Sequence, residues 1–134
     1  MLVGSHEARF IAPDVVYVAF RGEVAPADAS KLSELFAEWT HGIDCRFIID
    51  LRDLGYIGPE AREQFAAQHG ARQLVDRDYR VDLGFIGASL RTKVLTTVVM
   101  TARSIAANVK VRTQYFVDLD EAIAWAKVDP ALLA

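Results

Sequence analysis

Phe47-Ile48-Ile49-Asp50-Leu51-Arg52-Asp53-Leu54-Gly55-Tyr56-Ile57-Gly58-Pro59-Glu60-Ala61-Arg62-Glu63-Gln64-Phe65 is the stretch that decides the fold. It opens on a continuous apolar run, Phe47-Ile48-Ile49, closed by Asp50. A strand that alternates inward and outward side chains does not read this way, whereas a strand covered on both faces does. Phe47–Asp50 is therefore predicted to be an interior strand of a parallel sheet. Leu51–Gly58 is predicted to be a loop, and Pro59 to open a helix. Proline suits a first helical position because its missing N–H would have no partner there. Glu60 and Glu63 then put negative charge in the first turn, where the helix dipole favours it. That helix is expected to run to about His69, since Gly70 weakens the pattern.

Toward the N-terminus, Ala8–Ile11 and Val15–Phe20 are short segments rich in β-branched and aromatic residues. Ala12-Pro13-Asp14 separates them with turn chemistry, which predicts an opening β-hairpin. Arg21-Gly22-Glu23 is expected to close its second strand. Pro26 then opens a segment in which Ala29, Leu32, Leu35, Phe36 and Trp39 fall on one helical face, ended by Gly42. The Gly4-Ser5-His6 triplet is either native or a cloning remnant, and it is set aside.

Toward the C-terminus, Asp76–Arg80 is a polar interval and Val81–Ile86 a further buried strand bounded by Gly87. From residue 90 to 109, Val94, Leu95, Val98, Val99, Ala102, Ile105 and Val109 recur at helical spacing. The run Thr96–Val99 has weak helix propensity, but the segment is too long for one strand and lacks turn residues, so a helix is predicted. Gln114–Val117 reads as a last short strand. Asp118 and Glu121 have capping-box spacing ahead of a closing helix with Ile123 and Trp125.

The order β-β-α-β-α-β-α-β-α predicts an α/β fold. It consists of a mostly parallel five-stranded sheet, opened by an antiparallel N-terminal hairpin and covered by about four helices. The 134 residues, 52% of them apolar, form one domain spanning 1–134, with no linker or repeat to divide it. A formal net charge of -3 leaves no basic excess for nucleic acid or an acidic bilayer. No run approaches the roughly 18 apolar residues that span a membrane, so no membrane insertion is expected. The single Cys45 forms no internal disulfide, which fits a cytoplasmic chain.

The element order, Phe47–Phe65 and the ending Phe116-Val117-Asp118-Leu119-Asp120-Glu121-Ala122-Ile123-Ala124-Trp125 together resemble the STAS family. Within it they are similar to the SpoIIAA-like branch sometimes grouped with Sec14-like lipid-binding proteins. The resemblance covers nearly the whole chain. It implies a strand ending in Asp-Leu, a short loop and a helix that in phosphorylated antagonists begins Asp-Ser-Ser-Gly, one serine accepting phosphate. The matching positions here read Gly58-Pro59-Glu60-Ala61, so the fold is implied without its switch.

Several residues invite chemistry. Glu60 is either a fixed negative charge where relatives carry phosphoserine or a carboxylate suited to a first turn. Asp50, Arg52 and Asp53 cluster at the carboxyl edge of the sheet, where open α/β sheets hold ligands. A phosphate-accepting receiver would also need an early acidic pair and a late lysine, which are missing. Asp50 is expected to bond nearby backbone donors instead. His41 and His69 have no partner at metal-ligand spacing. No hydroxyl has an identifiable base, and Cys45 is expected to be a packed thiol. No catalytic, cofactor or metal residues are therefore assigned. The predicted function is a non-enzymatic regulatory module that contacts a protein partner through Tyr56, Gly58, Pro59, Glu60, Arg62 and Glu63. The alternative is a carrier or sensor of a small apolar, lipid-like or nucleotide-like ligand. The wide apolar face around Val94, Val98 and Ile105 is either core, a homodimer interface or a cavity lining.

Overall fold

The computed structural model describes residues 1–40, 43–71, 79–89 and 109–133. Six strands form one sheet in chain order: β1 (Leu2–Val3), β2 (His6–Ile11), β3 (Val15–Val24), β4 (Cys45–Ile57), β5 (Tyr79–Ile86) and β6 (Val109–Phe116). The first three pair antiparallel, and β3 through β6 pair parallel. The described residues also form three α-helices, α1 (Pro26–Thr40), α2 (Pro59–Ala71) and α3 (Leu119–Ala126), and a short 3-10 turn at Pro130–Leu133.

The residues that decide the fold behave as their chemistry requires. Phe47–Asp50 lies inside β4, flanked by β3 and β5 on its two sides. Ile48 has no exposed surface and Phe47 is 6% exposed. Pro59 is the first residue of α2. The N-terminal hairpin turns at residues 12–14. Asp118 caps α3 by accepting the Glu121 N–H at 2.9 Å, while Glu121 Oε2 accepts the Val117 N–H at 3.3 Å.

Four expectations need correction. The sheet has six strands rather than five, because Leu2–Val3 adds an edge strand beside β2. Tyr79 and Arg80 belong to β5 rather than to a polar interval. β6 begins at Val109, so that residue is not helical, and it ends at Phe116 rather than Val117. The rest of the helix expected over residues 90 to 109, with Val94, Val98 and Ile105, lies outside the described residues, as do His41 and Gly42.

The fourth correction bears on function. Leu51–Ile57 is not a loop but the second half of β4, paired in parallel with an equally extended β3. Arg21, Gly22, Glu23 and Val24 stand beside Asp53, Leu54, Tyr56 and Ile57, with register shifts on either side of Arg21–Gly22. Gly22 takes φ +70°, a conformation that disfavours a side chain, and Gly55 packs so closely that a Cβ there would sit 3.2 Å from the Gly22 carbonyl carbon. Glycine on both strands lets the ladder bulge and continue.

Helices α1 and α2 cover one face of the sheet over Val18, Phe20 and Val24, and the same face runs on through Phe47, Val81, Leu83 and Phe85. On the other face α3 and the C-terminal turn pack over Val15, Tyr17, Ile48 and Ile86. Gly84 permits this packing, since a Cβ there would lie 2.7 Å from the Trp125 ring.

His6, set aside in the sequence, is fully buried. Its Nδ1 accepts the Arg21 N–H at 3.0 Å, its Nε2 lies 3.5 Å from Asp28 Oδ2, and its ring meets Phe20 edge on. Ser5 Oγ adds a bond to the Arg21 carbonyl at 2.8 Å. The Gly4-Ser5-His6 turn is therefore an integral part of the fold, tying β1 and β2 to β3 and to the first turn of α1.

Candidate functional site

Past the end of β5, β3 and β4 continue as a two-stranded overhang that delivers the chain directly into α2. Its inward side is apolar: Leu54 and Ile57, together with Phe65 of α2, pack on the cluster that includes Val24 and Ala61. Its outward side carries Tyr56, 60% exposed, whose ring stands 3.4 Å from where a Gly58 side chain would begin. Pro59, Glu60 and Glu63 are exposed and Arg62 is half-buried. The Arg62 side chain is turned back onto the helix start, its Nε donating to the Gly58 carbonyl at 3.4 Å. All six residues expected to meet a partner thus lie at one end of the molecule, Tyr56 on β4, Pro59, Glu60, Arg62 and Glu63 on α2, and Gly58 as the single residue between them.

On the α3 side, the base of the overhang is an ionic network. Asp50 is 7% exposed, and its Oδ1 accepts the Arg52 N–H at 3.1 Å. The Arg52 guanidinium grips the same carboxylate through Nε at 3.0 Å and Nη2 at 2.7 Å. Burial pushes the Asp50 carboxyl up, but the Arg52 hydrogen bonds and charge outweigh burial and hold it below the usual carboxylate range. Glu7 follows the same pattern: burial raises it, while Arg9 at 2.6 Å and Arg21 at 3.3 Å bring it below its ordinary value. Between the two carboxylates Tyr17 is 8% exposed, and burial, then Asp50 and Glu7, push its phenol upward. The backbone bond expected of Asp50 is present. The arginine fork and the Glu7 network were missed, although alternation along His6–Ile11 places Glu7 and Arg9 on a common face.

Among the described residues no group of three or more His, Cys, Asp or Glu side chains is placed to hold a metal ion. Cys45 is buried, and desolvation first, then Asp14, Asp44 and Asp82, push its thiol up to about 12 against a bond to Thr40. No described helix is long and apolar enough to cross a membrane.

No protein-family model matches the chain, nor does any curated protein sequence. Solved structures do match. The anti-sigma factor antagonist SpoIIAA in its unphosphorylated form superposes with a TM-score of 0.51 at 11% identity, covering 91% of this chain and 97% of that one. An uncharacterised protein of the DUF3478 family from Shewanella loihica PV-4, described as having a SpoIIAA-like fold, superposes with a TM-score of 0.54 at 15% identity, covering 90% and 91%. The fold is SpoIIAA-like. At these identities the likeness is one of architecture, and it extends over nearly the full length of all three chains.

Proposed function

We propose that this SpoIIAA-like domain is a non-enzymatic regulatory module that binds a protein partner through the overhang and the start of α2. The observation that carries the reading is Tyr56, a large aromatic side chain 60% exposed on a paired strand and flanked by exposed Pro59, Glu60 and Glu63. Tyrosine anchors are enriched among residues that dominate binding energy, and holding one on regular structure reduces the entropy lost on association. SpoIIAA is an antagonist of an anti-sigma factor, which makes protein binding the natural activity to carry across a shared fold.

The stretch Gly58–Ala61 carries no hydroxyl, so binding here is not gated by phosphorylation of the α2 start. The exposed Glu60 carboxylate supplies constant negative charge at that position. A non-enzymatic reading also suits the chemistry of the described residues, where the one cysteine is buried with its thiol pushed up to about 12. The test is affinity capture from the native cell extract with wild type, Tyr56→Ala and an Arg62→Glu, Glu63→Arg double variant. Loss of one specific protein from both variants supports the surface, and identical captures remove it.

A further inference from the structure

The opposite end of the parallel strands carries a second, differently charged surface. Neighbouring β4, β5 and β6 place Arg46, Asp82 and Arg112 in one row across the sheet, and Arg80 and Lys110 in the next. Alternation along each strand puts all five on the face that α3 covers, because Ile48, Ile86 and Phe116 on that face pack with α3. The rows therefore gather four cations around one carboxylate in a chain whose net charge is -3.

Asp82 sits at the centre, 8% exposed, and it orients the guanidinium groups on either side. Arg112 Nε lies 3.3 Å from its Oδ1 and Arg80 Nε 3.5 Å from its Oδ2. In both contacts the nitrogen placed nearest Asp82 is Nε. A guanidinium has five N–H donors and can pair more than one carboxylate oxygen at a time, so a contact through Nε does not exhaust it. The Arg112 and Arg80 side chains are 68% and 47% exposed, and Lys110 is exposed without an ion-pair partner among the described residues. Arg46 closes the row by donating from Nη1 to the Ala126 carbonyl at 3.3 Å, at the C-terminal end of α3.

We infer that this patch docks an acidic, carboxylate-rich segment of a partner protein, at a surface separate from the overhang. Charge complementarity selects the occupant. A short segment fits better than a long polyanion or a bilayer because the patch is small and has acidic neighbours. Strands about 4.8 Å apart make it only about 10 Å wide. The Asp44 carboxylate accepts the Arg80 N–H at 2.8 Å, and Asp14 adjoins Arg46 through its carbonyl at 2.9 Å. A polymer of phosphates or an anionic membrane would run beyond the row and press charge onto the Asp44 carboxylate, whereas a segment of a few residues need span only the row.

The test is fluorescence anisotropy with a labelled peptide of about four glutamates in about 50 mM and about 300 mM salt, since screening separates a charge-driven contact from others. Wild type should bind at low salt and release at high salt. Lys110→Glu, a change at an exposed residue, should weaken binding by about tenfold or more. Arg112→Lys keeps the charge but loses the fork and should weaken it about threefold. Arg62→Glu, at the other end, should bind within about twofold of wild type. The inference is overturned by absent or salt-insensitive wild-type binding, by unchanged affinity in Lys110→Glu or Arg112→Lys, or by an equal loss in Arg62→Glu. Tighter binding of duplex DNA or of phosphatidylserine vesicles than of the peptide also overturns it. Failure here leaves the overhang reading intact, because that surface shares no residue with this one.

Discussion

Strand β4 has two halves with different physics. From Arg46 to Asp50 it is paired with both β3 and β5, and Cys45, Phe47 and Ile48 are buried. From Leu51 to Ile57 its partner among the described strands is β3 alone, and the exposed Arg52, Asp53, Gly55 and Tyr56 alternate irregularly with half-buried Leu54 and Ile57. The first half is held by burial on two faces and the second by one ladder and one apolar face. The same strand thus serves as the centre of the core and, past Asp50, as a rigid mount for the exposed Tyr56.

The largest effect should come from breaking the first half. Ile48→Ala removes a fully buried side chain between sheet and α3 and should cost about 2 to 5 kcal/mol in urea unfolding. Leu54→Ala, in the half-buried overhang, should cost distinctly less. Equal losses would mean that the two halves are not energetically distinct.

The junction is the next point of attack. Arg52→Gln removes the fork from the buried Asp50 carboxylate and should cost about 1 to 2 kcal/mol near neutral pH. Because Asp50 titrates below its ordinary value in the folded protein, its contribution is present above the unfolded value near 4 and fades as pH falls through the lower folded value. The difference between wild type and Arg52→Gln should therefore shrink below about pH 4. A difference that persists undiminished in acid would place the cost in packing instead.

A smaller effect is expected within the overhang itself. Gly55→Ala forces a methyl group against the Gly22 backbone and should cost about 1 kcal/mol. Its signature is local: amide exchange should accelerate in Leu51–Ile57 and remain slow in Phe47–Asp50. Uniform acceleration would make the two halves one cooperative unit. The smallest effect is chemical silence at Cys45, whose thiol, buried and raised to about 12, should resist disulfide reagents at pH 8 until the protein unfolds.

Much of this architecture is legible in the sequence because burial and local chemistry leave periodic marks. Phe47-Ile48-Ile49 has no alternation, and it is covered on both faces. Pro26 and Pro59 stand where a missing N–H is harmless, and both open helices. Asp118 and Glu121 carry their cap in their spacing. The six residues of the proposed partner surface fall at one end of the molecule because they are nearly contiguous in the chain. Leu51–Ile57 was misread because a strand with one partner and one apolar face shows no clean period, and Gly55 within it and Gly58 just beyond it look like turn residues. His6 was misread because nothing local distinguishes a buried histidine from an incidental one.

Residue types alone dictated where the chain turns, where helices begin and which strand lies innermost, since each follows from contacts within a few residues or from the total apolar content of a segment. Register between distant segments decided the rest. Only assembly of the sheet brings Arg46, Asp82 and Arg112 into one row or sets Gly22 against Gly55, because these neighbours are separated by about 30 residues or more and no local free energy records their meeting.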